Sequence, residues 1–176
     1  MKSKLILLLF FLVLPFTSIA RGITLNDAPA QVYFSPYGGC TKAIVAELEM
    51  AKSEVLVQAY SFTSRAIGKA LLNAQKRGIS IQIILDKSNL SHNYSAADFT
   101  AHAGIPTYID AQHAIAHNKI MIIDREVVIT GSFNFTRAAE VNNAENLLVI
   151  RSKELAKFYI DNWLKHKGHS ELYKGR

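Results

Sequence analysis

His117 and Lys119 stand two residues apart at the head of a stretch, His117 to Asn134, that reads HNKIMIIDREVVITGSFN. A neutral imidazole is a nitrogen nucleophile whose conjugate acid titrates near neutral pH, so His117 can attack an electrophile or protonate a leaving group. Lys119 is followed by Ile120, Met121, Ile122 and Ile123, and an ammonium buried among such residues is costly unless an anion pairs with it. Ser132 and Asn134 add neutral donors just beyond, and the four side chains together suit an oxyanion. Phosphate is the natural occupant, because lysine binds it as a point charge while hydroxyl and amide groups donate to its oxygens.

These side chains need a scaffold that points them one way. Residues two apart on a strand share a face, so a strand over residues 115 to 123 would aim His117 and Lys119 into one space. Asp124 has the opposite parity and opens Asp-Arg-Glu, a polar break between two apolar runs, so it is expected to hold a hairpin turn into a strand over 127 to 131. Ser132 and Asn134 share one parity, and Phe133 and Phe135 fall on the other, toward the core. Glu145 begins the next predicted strand, and two roles stay open for it. It can accept from the second ring nitrogen of His117 and fix the tautomer, or it can be a solvated charge at a strand end.

The rest of the chain supplies the frame. Residues 31 to 35 are β-like, and Pro36 with Gly38-Gly39 breaks them. Thr41 is placed to cap a helix through Ala51, strand 55 to 62 follows, and Thr63 or Ser64 caps a helix through Arg77 that Gly78 ends. Residues 79 to 86 form a third strand; this βαβα order predicts an α/β fold, largely parallel in its first half. A polar loop from Lys87 leads to a short helix near 96 to 102, and Pro106 keeps strand 105 to 109 toward an edge or a strand start. A helical turn over 136 to 141, a strand over 145 to 150 and an amphipathic helix over 153 to 165 close the chain, with Leu155, Phe158, Tyr159, Trp163 and Leu164 as its buried stripe.

Composition narrows the class. Lys2 and Lys4 precede an unbroken apolar run from Leu5 to Phe16, and small residues lead to Ala20, the pattern of a secretory signal peptide cleaved there. The competing membrane-anchor reading needs roughly 20 apolar residues, more than this run holds. Residues 21 to 176 are then expected to form one domain, its net charge reduced from +6 to +4 by loss of the two lysines. That balance suits a polyanion or simply aids solubility. Cys40 is the only cysteine, which excludes an intrachain disulfide and a cysteine-rich zinc site; it is either a small buried residue or an intersubunit thiol. His113 and His117 are four apart but lack the glutamate of His-Glu-x-x-His, so no metal site is expected there. The basic tail from Lys165 to His169 is expected to be solvated.

The spacing His-x-Lys-x4-Asp-x6-Gly-Ser-x-Asn resembles the HKD signature of the phospholipase D superfamily, matched at His117, Lys119, Asp124, Gly131, Ser132 and Asn134. The chain is similar to the small bacterial Nuc-type endonucleases of that superfamily. The resemblance implies a mixed β-sheet with helices on both faces and a phosphodiesterase that forms a phosphohistidine intermediate without a metal. One motif's histidine would attack phosphorus and a second motif's histidine would protonate the leaving oxygen. Lys119, Ser132 and Asn134 would bind phosphoryl oxygens, Glu145 would orient His117, and Asp124 and Gly131 would be structural. The other five histidines lack a lysine two residues on, so the expected unit is a symmetric homodimer with one composite site. The expected substrate is DNA, and RNA beside it, in the periplasm or outside the cell. The alternatives are a phospholipase D-type lipid phosphodiesterase and a noncatalytic nucleic-acid binder.

Overall fold

The computed structural model describes residues 22–91 and 96–176. The leader expected over 1–20 lies outside the described residues. Strands β1 (Ala30–Ser35), β2 (Glu54–Ala59), β3 (Ser80–Asp86) and β4 (Thr107–Asp110) alternate with helices α1 (Cys40–Met50), α2 (Arg65–Lys76) and α3 (Ala96–His102), with a 3-10 turn at Lys87–Leu90. There follow β5 (Lys119–Ile123), β6 (Val127–Gly131), α4 (Arg137–Val141), β7 (Glu145–Arg151), α5 (Lys153–Gly168) and β8 (Glu171–Tyr173). The strands form one sheet in the order β1-β7-β6-β5-β2-β3-β4-β8. The β2-β3 and β3-β4 pairs are parallel and the others antiparallel, so the expected mixed α/β sheet with helices on both faces is what the chain builds.

Alternation along the central strands decides the two faces. Val55, Val57, Ile83, Leu85, Met121 and Ile123 enter the larger core with Ile44, Leu48, Ile67 and Leu71 of α1 and α2. Leu56, Ile84, Ile120 and Ile122 turn the other way, against Ala156, Ile160 and Trp163 of α5. The Trp163 indole is 1% exposed and donates to Val57 O at 2.9 Å; burying such a ring stabilises by about 2–3 kcal/mol, and the bond satisfies its N–H. Its helix starts cleanly because the Ser152 hydroxyl accepts from Leu155 N, filling an otherwise orphaned donor.

The expected elements are present with four corrections. The buried stripe of α5 is Ala156, Ile160 and Trp163, and Leu164, expected in it, is 52% exposed. The α1 cap is not Thr41: the helix begins at Cys40 after Gly39 in a left-handed conformation, and the Glu140 carboxylate accepts from Gly39 N and Thr41 N. The strand expected from 115 begins only at Lys119, because the backbone of the preceding residues is held by single contacts, Ala116 N to Asp86 and Asn118 O to Tyr60 N, and not by a strand ladder. The tail is not free. Its helix runs through Gly168 and β8 pairs with β4, so β4 starts directly after Pro106 but is not an edge strand.

Candidate active site

The site forms where β2 ends beside the start of β5. Ala59 pairs with Lys119, and Tyr60 N donates to Asn118 O, which draws the His117 segment alongside. Two buried polar residues fix that segment. Asp86 accepts Ala116 N at 2.7 Å, and Asn89 donates to Tyr60 O at 2.7 Å. His117 is thereby held exposed, its ring against Tyr60 at a centroid distance of 4.6 Å.

Lys119 is 6% exposed. Its Nζ donates to His117 O at 2.7 Å and stands 5.1 Å from the Tyr60 ring centroid. Burial lowers its pKa, and the charge of Glu145 offsets part of that. No salt bridge satisfies this ammonium among the described residues. A buried cation supported only by a carbonyl and an aromatic face is a receptor for an anion.

The second half of the motif arrives on the next hairpin. At the turn, Asp124 and Arg125 both have positive φ, the geometry of a tight turn between right-twisted strands. The Asp124 carboxylate accepts from Lys52 N, Ser53 N, Ser53 Oγ and Glu54 N, joining this turn to the α1–β2 connection. Those bonds hold its pKa below the usual carboxylate range although burial pushes the other way. At the far end of β6, Gly131 has φ 149°, and a Cβ there would stand 2.3 Å from Asn146 O. That close approach lets Ser132 N and Phe133 N both donate to Asn146 O. The Ser132 oxygen accepts from Asn146 N and Nδ2, which leaves its O–H free to donate outward. Phe133 and Phe135 are fully buried, as their parity predicts, while Asn134 is half-buried and its Oδ1 has no partner among the described residues.

Glu145 does not orient His117 within the chain. It begins β7, which β6 separates from β5, and its Oε1 accepts from Asn143 Nδ2 at 3.0 Å. Its influence on the site is the field it exerts on Lys119. An open cleft of about 400 Å³ runs from His117 and Lys119 past Gly131 to Tyr159 and Asn162.

A family model described as "Cardiolipin synthase, PLD-like domain" matches residues 44–166, which include the whole site. The chain belongs to the phospholipase D superfamily. A phospholipase D of Rickettsia felis is 47% identical over 134 residues, spanning 76% of this chain and 67% of that protein. Nuc from Salmonella typhimurium, a phospholipase D family member, superposes with a TM-score of 0.81 at 36% identity, over 85% of this chain and 100% of that one. NucT from Helicobacter pylori shares the fold at 24% identity, with a TM-score of 0.77 over 84% of this chain and 100% of that one. As a member of that superfamily, the chain is a phosphodiesterase.

Within this superfamily site, Tyr60, Asp86 and Asn89 are absent from the motif and carry no signal in local spacing. They reach His117 only through the pairing of β2 with β5 and the fold of the 3-10 turn, both long-range events.

Proposed function

We propose that the chain is an exported endonuclease that hydrolyses phosphodiester bonds in DNA, and in RNA as well, without sequence preference. The observation that carries the nucleic-acid reading is a pair of exposed arginines. Arg65 and Arg137 are the first residues of α2 and α4, and they share a cleft of about 620 Å³ with Ser64 and Glu140. Thr63 N and Ser64 N donate to Phe135 O, so this cleft adjoins the Asn134 turn. A cation at a helix N-terminus opposes the macrodipole, so helix stability does not account for the pair. A phosphate backbone passing the site does.

In the proposed reaction one His117 attacks phosphorus, the bond to the leaving oxygen breaks, and that oxygen takes a proton from a second His117. Water then gives its proton to the second imidazole and attacks phosphorus, and the P–N bond breaks to restore the first. Lys119, Ser132 and Asn134 hold the non-bridging oxygens throughout, and the buried Lys119 ammonium gains an anion in direct contact. Since the chain has one His-x-Lys, the second His117 comes from another copy in a twofold homodimer. The chemistry uses no metal.

The name of the Rickettsia felis relative favours a second reading, a phospholipase D-type lipid hydrolase, and Ile115, 57% exposed two residues before His117, suits an acyl chain. Incubation with plasmid DNA and with phosphatidylcholine vesicles separates the two. Nicking of DNA by the wild type but not by His117→Ala is expected, persisting in EDTA and falling as salt rises. Hydrolysis of vesicles without nicking replaces the nuclease by the lipase, and equal nicking by both proteins removes the catalytic assignment.

A further inference from the structure

We propose that Asp110, His113, His166 and His169 form a structural binding site for one divalent transition-metal ion, with zinc the best match. One ligand atom from each residue lies within 4.8 Å of the others. Asp110 Oδ2 is 2.7 Å from His166 Nδ1, 3.3 Å from His169 Nε2 and 3.9 Å from His113 Nε2. Around a tetrahedral zinc with bonds near 2.0–2.1 Å, ligand atoms stand about 3.3 Å apart, the middle of that set. The three imidazoles form a nearly equilateral triangle, with centroids 5.0, 5.3 and 5.2 Å apart.

Hydrogen bonding alone leaves this cluster incomplete. Asp110 is fully buried, and its other oxygen, Oδ1, accepts from Gln112 N at 3.1 Å. Oδ2 therefore turns all its accepting capacity to the rings. His113 Nε2 is itself buried and has no hydrogen-bond partner among the described residues. An ion would occupy the point on which the three nitrogens and Oδ2 converge, and Nε2 of His113 would gain the partner it lacks. The loop that presents it is tied down, since Lys87 Nζ donates to His113 O at 2.9 Å.

Imidazole and carboxylate donors suit zinc among the common divalent ions. Four protein ligands fill a tetrahedral shell, which is the structural rather than the catalytic arrangement. The site is separate from the active centre, because β2 and β3 lie between β4 and β5. Its ligands come from the end of β4, the loop after it, the last turn of α5 and the residue that follows. The ion would fasten the C-terminal helix and β8 to the sheet. His113 thus pairs with the tail histidines and not with His117, the neighbour its spacing suggests.

The test uses the chain purified without a polyhistidine tag and stripped with chelator. Titration with Co²⁺ is expected to give the intense visible absorption of a four-coordinate ion, saturating at one equivalent per chain. Zn²⁺ at about 100 times its Kd is expected to raise Tm by roughly 5–10 °C. His169→Ala and His113→Ala should both lose the absorption and the Tm response. His113 is 43% exposed at its side chain, so its variant keeps the test open if His169→Ala misfolds. His117→Ala should bind the ion normally while losing nuclease activity, which separates this site from the catalytic one. Absence of the Co²⁺ band with a Tm unmoved by Zn²⁺ overturns the proposal, as does wild-type binding by His113→Ala.

Discussion

Lys119 and Asp124 belong to the same motif and solve opposite electrostatic problems. Lys119 is a cation pressed into the core with no salt-bridge partner among the described residues, so it costs folding energy in exchange for a waiting anion site. Lys119→Met should accordingly lower kcat on DNA by about 10²–10³-fold and raise Tm by a few degrees, read by plasmid nicking and thermal melting. Asp124 is the reverse case. Its carboxylate is held ionised by three backbone N–H groups and the Ser53 hydroxyl, and its folded pKa is depressed. The stability it contributes is present above the unfolded value of about 4 and is lost as pH falls through the folded value. Asp124→Ala should cost on the order of 2 kcal/mol at neutral pH and flatten the acid limb of the stability profile below about pH 4, measured by urea titration. Cys40 is fully buried, and burial, with the charge of Glu140, pushes its thiol up to about 11. That places the residue in the core and not at a subunit contact.

At the scale of elements, α1 depends on a residue far along the chain. Glu140 supplies the acceptor that a capping serine or aspartate would give locally, and its negative charge also complements the helix dipole. Glu140→Ala should cost about 1 kcal/mol of stability, visible as a lower denaturant midpoint, while Glu140→Gln should recover part of it through its amide oxygen. This long-range cap also shows where local sequence runs out. Helix α2 was legible because its Ser64 cap, its Ile67–Leu71–Ala74 stripe and the Gly78 stop are all local. Strands β3 and β6 were legible for the same reason. The α1 cap, the late start of β5 and the existence of β8 were not, since each is decided by a partner that folding brings in. In the site the division is similar. His117, Lys119, Ser132 and Asn134 stood out by type and spacing, whereas Tyr60, Asp86 and Asn89 act through contacts that spacing cannot encode.

At the scale of the molecule, the proposed active unit needs two copies of His117 facing one phosphate. Co-expression with an equal amount of His117→Ala tests that arrangement by stoichiometry. If each site draws one histidine from each chain, only homodimers of the wild type cut, and activity per total protein falls to about a quarter of the pure wild type. Independent sites would leave about a half. The sheet order carries a different consequence, about the timing of folding. Among the described residues the first strand lies at one edge of the sheet, where its strand partner is β7, whose last residue is Arg151. As the chain grows, β1 is made well before β7 and cannot join the sheet until that strand, 110 residues further on at the Ser35–Glu145 pair, has been synthesised. Closure of that edge is therefore a late event, and until then the backbone groups of β1 remain open to whatever machinery handles a nascent chain.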